Sequence, residues 1–253
     1  MNKRIIVSVL TLILLMGFTG CEESAYFPNP SDGATYVENQ DAGSSPYFPY
    51  EPGNRWRYEY IVEYVYDYPE EFPTEDTTWT DTTASVTVVT RETQLTGSNP
   101  LAVWEIETTN WMSDTSEPTV SYSWVHIEGD SVYTFDDISA SEPDMVSPAN
   151  PELGDKWEYE YEVDDTTTDT IYYEVVAEGV EANGYDDCIK IEVIPYIPEE
   201  IETFEQYQYM AKGTGTVLFT SNMLMRVELG PLSELVVTME GEYKLTSFTG
   251  IVE

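Results

Sequence analysis

The sequence predicts an all-β, antiparallel fold: a meander forming a curved sheet, half-barrel or sandwich built from two duplicated halves. Two patterns carry this prediction. Apolar and aromatic residues recur with period two, as in Trp56, Tyr58, Tyr60, Val62, Tyr64 and Tyr66, with Arg57, Glu59 and Glu63 between them. Successive strand side chains point to opposite faces, so this alternation describes a half-buried strand. The second pattern is an internal repeat. PYEPGNRWRYEY (49–60) returns as NPELGDKWEYEY (150–161), placing Gly53, Trp56 and Tyr58 over Gly154, Trp157 and Tyr159 at a constant offset of 101 residues. TDTTASVTVVTRETQ (80–94) parallels TTTDTIYYEVVAEGV (166–180), and YSWVHIEGDSVYTF (122–135) parallels YQYMAKGTGTVLFT (207–220). Two copies of this length are not a solenoid. They suggest two halves of one sheet system or two tandem domains.

Residues 1–20 read as a secretory signal. Lys3 and Arg4 form a basic start, and Ile5 to Met16 is an almost unbroken apolar run. That run is too short to cross about 30 Å of hydrocarbon as a helix. Its flank, Phe18-Thr19-Gly20-Cys21, resembles a bacterial lipobox, with Phe18 where that pattern prefers Leu. The resemblance implies cleavage before Cys21 and attachment of diacylglycerol and an acyl chain such as palmitate to it. Several acyl chains anchor stably where one is marginal. The alternatives are an uncleaved anchor, or plain secretion with a coincidental cysteine.

Residues 21–46 then form the acylated Cys21 and a flexible tether, rich in Ser, Asp, Glu, Asn, Gly and Pro. Residues 47–144 are the first β repeat and 145–253 the second, with one continuous domain as an alternative. Beyond the two repeat strands, strands are expected at 84–92, 101–109, 119–128, 131–135, 170–178, 188–195, 204–212, 215–220, 223–229, 234–240 and 242–248. Val, Ile, Thr and Tyr dominate these segments. Glu128-Gly129-Asp130, Asn183-Gly184 and Glu240-Gly241 supply turns. After the signal no 12-residue stretch has a convincing 3.6 period. The repeated Gly can take positive φ before the strand starts. The following Trp then plugs the end of the core.

Composition removes whole classes of function. The 253 residues carry 48 Asp and Glu against 10 Lys and Arg, a formal charge of −38. Such a chain is repelled by phosphate backbones, so nucleic acid is excluded as a partner. Hydrophobic residues at 41% and aromatic residues at 13% are too many for a disordered acidic segment. Once Cys21 is acylated, Cys188 is left without a disulfide partner, so the domain must fold on its core alone.

No residue pattern selects a catalytic or metal site. His126, the one histidine, alternates with Val120, Tyr122 and Trp124 and reads as structural. Gly-x-Ser-x-Gly is absent. Cys188 reads as a buried strand thiol whose ionisation Asp186 and Asp187 oppose. With 48 acids, no pair stands out for glycoside hydrolysis. The Asp-rich stretches 136–144 and 164–169 offer oxygens for weak Ca²⁺ binding without EF-hand spacing.

PGNRWRYEY, LGDKWEYEY, GYDDCIKIEV and QYMAKGTGTVLF together resemble a group of bacterial secreted lipoproteins of unknown function. The matching positions are Trp157 and Tyr159; Gly184, Tyr185, Cys188, Ile189 and Lys190; and Tyr209, Ala211, Lys212, Gly213, Gly215 and Val217. The likeness covers roughly 150–220, and 47–135 matches as a diverged copy. It implies an extracytoplasmic β domain, with no catalytic residues to carry over. The expected function is that of a lipid-anchored protein of the cell envelope, at the outer membrane, with a binding or structural role. Alternatives are a carrier of an apolar ligand or lipid, a glycan-binding module, and an Asp/Glu-dependent glycan hydrolase. Trp79, Trp111, Trp124 and the tyrosines are the expected lining of a groove.

Overall fold

The computed structural model describes residues 42–69, 76–97, 100–111, 117–164, 167–197, 201–230 and 233–250. Twelve strands follow in chain order: β1 (Arg55–Asp67), β2 (Thr77–Gln94), β3 (Ala102–Trp111), β4 (Thr119–Glu128), β5 (Ser131–Phe135), β6 (Met145–Pro148), β7 (Lys156–Asp164), β8 (Thr167–Ala182), β9 (Tyr185–Ile194), β10 (Ile201–Ala211), β11 (Gly215–Gly230) and β12 (Ser233–Thr249). Each pairs antiparallel with the next, and β12 returns to β1. The meander therefore closes into a barrel, with the β6–β7 seam joined by the single pair Met145 and Tyr159. Both halves of the sequence belong to this one sheet.

Alternation sets inside and outside. In β1, Trp56, Tyr58, Tyr60, Val62 and Tyr64 are buried. The register carries their face around the barrel: Tyr60 opposes Tyr243, Tyr243 opposes Phe219, and Phe219 opposes Gln208. The opposite face holds Glu59, Glu63, Glu158, Glu160, Glu174, Glu192, Glu240 and Glu242. A membrane-spanning barrel has the reverse arrangement, an apolar band outside and a polar lumen. These strands are built to meet water on their outer surface.

A barrel of twelve strands is wider than the eight that ordinary side chains can fill. This chain fills the extra width in two ways. Large side chains point inward, including a cluster of Tyr60, Val62, Tyr64, Met223, Met225, Leu235, Val237 and Met239 on the β1–β12–β11 side. In addition, residues 42–50 lie across the end of the barrel where β1 begins. Ala42 O accepts from Ile127 N at 2.8 Å, Gly43 O from Trp104 Nε1 at 2.7 Å, and Pro46 O from Gly213 N at 2.7 Å. Ser45 Oγ donates to Ala149 O. The strap thus runs from the β3–β5 side to the β10–β11 turn. Gly43 is required there, because a Cβ would fall 1.9 Å from Ile127 O. Residues 42–46, expected in the tether, are part of the fold. Ala42 is fully buried.

Three other details differ from expectation. Segments 215–220 and 223–229 are one strand, as are 234–240 and 242–248. Gly241 is no turn: it sits mid-strand because a Cβ would lie 2.6 Å from Ser221 Oγ and 3.3 Å from the Tyr60 hydroxyl. The short β6 carries no alternation long enough to reveal it. The other turns stand as read, with Asn183 at φ 50° and Gly184 at φ 78° between β8 and β9, and Gly129 at φ 60° between β4 and β5.

Candidate ligand-binding cavity

A cavity of about 350 Å³ lies inside the barrel beneath the strap. That size falls in the range of small-molecule sites. Tyr47, Phe48, Pro49 and Tyr50 of the strap form its roof, and inward residues of nearly every strand form its walls.

The aromatic wall begins at the two repeated corners. Gly53 and Gly154 have φ of 92° and 91°, and each donates its N–H across the hairpin, to Val89 O at 2.8 Å and Val175 O at 2.9 Å. The next residue, Asn54 or Asp155, accepts the N–H of that same valine at 3.0 Å. The strand therefore starts with its first aromatic aimed into the lumen. Trp56 donates its indole N–H to Thr214 O and stacks on Phe248 at 5.2 Å. Trp157 stacks on Tyr173 at 5.3 Å with an interplanar angle of 1°. Tyr58 stacks on Tyr243 at 4.4 Å, and Tyr243 hydrogen-bonds Ser85 at 2.7 Å.

Between the rings runs a band of neutral polar groups: Thr87, Thr108, Ser121, Ser123, Thr134, Ser147, Gln206, Gln208 and Thr216. Gln208 Nε2 donates to Thr216 Oγ1 at 2.7 Å. Gln206 differs. It is 1% exposed, and neither its amide nitrogen nor its oxygen has a partner among the described residues. Ser147 Oγ is likewise buried and unpartnered. An unmade buried hydrogen bond costs about 1–3 kcal/mol, so these groups mark a place where something polar belongs.

No charged side chain lines the cavity among the described residues. Burial pushes the hydroxyls of Tyr50 and Tyr60 up to about 12, for Tyr60 against the opposing pull of Ser221, and raises Tyr58, Tyr173 and Tyr243 as well. These phenols stay neutral near pH 7. They offer hydrogen bonds and ring faces, which suits holding a molecule rather than moving its protons.

The residues singled out in the sequence are distributed as follows. Cys21 lies outside the described residues. Trp56, Tyr58 and Trp157 come together on the cavity wall, and Gly53 and Gly154 shape its corners. Tyr159 points inward below them; burial first, then Asp136 and Asp144, raise its hydroxyl to about 12. The aromatic groove expected from Trp79, Trp111 and Trp124 is not this cavity. Trp79 stacks on Tyr64 at 5.1 Å at the far rim, half exposed. Trp111 is exposed on the outside. Trp124 packs with Leu95, Val103 and Phe135 in a small outer core roofed by Ile138 and Ala140. The Asp-rich loop 136–144 thus covers apolar surface. Asp144 closes it by accepting the Asp136 N–H at 2.7 Å, and no cluster of three or more metal-type ligands occurs among the described residues.

His126 is buried, with Nδ1 2.8 Å from Ala102 O. Cys188 is buried and free; burial, ahead of Asp187 and Asp186, raises its thiol. The Lys-Gly-x-Gly run serves the roof: Gly213 N holds Pro46, Thr214 O holds Trp56, and a Cβ on Gly215 would press within 3.4 Å of Tyr47 O.

Gln206 and Ser147 were invisible in the sequence. For Gln206 the trace is a conflict of period: in 204–210 the inward positions are Phe, Gln, Gln, Met, while the tyrosines between them face out, Tyr207 beneath Lys190 Nζ at 3.5 Å. No protein family, curated protein or solved structure matches the chain.

Proposed function

We propose that this chain is a lipid-anchored envelope protein that binds a small molecule inside its barrel. The carrying observation is a roofed cavity of about 350 Å³ holding buried polar atoms with no partner in an otherwise densely packed aromatic lumen. A barrel kept for architecture alone gains nothing from burying an unpaired amide. Anchoring is inferred from the lipobox-like run ending at Cys21, and it fits an outer surface rich in glutamate, which keeps the barrel itself out of hydrocarbon. The same signal places the barrel outside the cytoplasm in this proposal, with the outer membrane as the expected station.

Native mass spectrometry of the full chain, released gently from envelopes, tests the binding. A reproducible small-molecule adduct lost on denaturation is expected. An adduct-free protein that also takes up nothing from a broad fragment library would sink the reading. Anchoring is tested separately, since Cys21→Ser should move the protein from the envelope pellet to the soluble fraction.

A further inference from the structure

The lumen also restricts the chemistry of its ligand, an inference that rests on the binding reading above. We propose that it takes an uncharged amphiphile with an aromatic or apolar body and a hydroxyl or carboxamide head read by Gln206, and that it rejects the corresponding carboxylate.

Three observations converge. The Gln206 amide presents one donor face and one acceptor face, both unpartnered, at 1% exposure. Such a group is matched by a head that accepts and donates at once, as an alcohol or primary amide does; a carboxylate only accepts and leaves the carbonyl oxygen unmet. Next, among the described residues the lining contains no Lys, Arg or His to meet an anion. A buried charge without a counter-charge costs several kcal/mol even after relaxation. Finally, the chain as a whole carries 48 acids to 10 bases, so its field adds to the penalty. The body of the ligand would lie against the aromatic part of the lining, chiefly Trp157 and Tyr173, which stack on one another there.

The test uses matched probes: 4-phenylbutan-1-ol, 4-phenylbutanamide and 4-phenylbutyrate, titrated at pH 8 into the purified full chain and followed by tryptophan fluorescence and ligand-observed NMR. The alcohol and amide should bind at least about tenfold more tightly than the acid. Gln206→Met, close in volume and without hydrogen-bonding atoms, should weaken the amide and the alcohol about tenfold and leave the acid excluded, while the circular-dichroism spectrum stays that of a β protein. If Gln206→Met does not fold, Ser147→Ala beside the same cavity replaces it, with a smaller loss for the same probes. Equal or tighter binding of the acid by the native chain, or amide and alcohol affinities untouched by these substitutions, overturns the proposal while leaving a binding barrel intact. Failure of every probe and of a broad fragment library would remove the binding reading and this inference with it.

Discussion

The corners at Gly53–Trp56 and Gly154–Trp157 have one backbone and two outcomes. Their glycine φ values differ by a degree, and their cross-hairpin hydrogen bonds match within 0.1 Å. Yet Trp56 is 3% exposed and pinned by Thr214 O, whereas Trp157 is only partly buried. The neighbours decide this. β1 is flanked along its length by β2 and β12. β7 has β8 on one side, but on the other the four-residue β6 meets it at Met145 opposite Tyr159. The strap adds to the asymmetry, since Tyr50 sets its ring edge-on to Trp56 at 6.1 Å. A repeated motif fixes where an indole points; the length of the adjacent strand fixes how deeply it is buried. Trp56 therefore serves mainly as a core residue, and Trp157 as a wall the ligand can share.

The largest effect should come from removing the two indoles. Trp56→Ala should cost about 3–5 kcal/mol, the range for a fully buried aromatic, because the strap and the β10–β11 turn both lose a contact. Trp157→Ala should cost about 1–2 kcal/mol, as a partly exposed ring has less area to lose. Urea unfolding of both variants checks this. Equal losses would mean that the β6–β7 seam is as well packed as the β1–β12 seam, and the contrast would collapse.

The comparison also shows how far a sequence of this kind can be read. The period-two pattern of β1 named the inward face of the barrel correctly, and the repeat located both corners, because each signal lies within a few consecutive residues. Closure did not show, since the Trp56–Phe248 and Tyr58–Leu245 pairs join the two ends of the chain. β6 did not show because four residues carry no period. The polar band of the cavity did not show because Gln206 and Gln208 are polar residues on an inward face, where hydropathy would place Tyr207 and Tyr209 instead. Trp79, Trp111 and Trp124 misled for the opposite reason: large aromatics can lie on the outer face, at a rim or under a covering loop.

A smaller effect should be shared equally. Gly53→Ala and Gly154→Ala each force a Cβ into a left-handed conformation, at a cost of about 1–2 kcal/mol. At Gly154 nothing lies within 4 Å of the added Cβ, so the cost there is that of the backbone alone. The two variants should therefore lose equal stability in thermal or urea unfolding. A loss at Gly53 more than twice that at Gly154 would show that the corners are not mechanically equivalent, and that the strap resting near Gly53 adds steric cost.

The smallest effect sharpens the comparison on the Trp157 side. Below that indole, Tyr159 feels Asp136 and Asp144, and Asp136 itself is raised to about 6, first by burial and then by the Asp144 carboxylate. A carboxyl whose folded value is raised binds its proton more tightly in the native state. Its penalty is therefore absent below the unfolded value near 4, grows between pH 4 and pH 6, and is complete above pH 6. Asp136→Asn removes that penalty and keeps the shape. Relative to the native chain, the variant should gain about 1 kcal/mol at pH 7.5, given the partial exposure of the carboxyl, and nothing at pH 4. Because both proteins share every other acid, the difference between them isolates this residue from the titration of the whole surface. Melting temperatures across pH 4–8 give the answer. A gain of the same size at pH 4 would assign the effect to packing of the loop 136–144, and the carboxylate pair beneath Trp157 would then have no part in the stability of that seam.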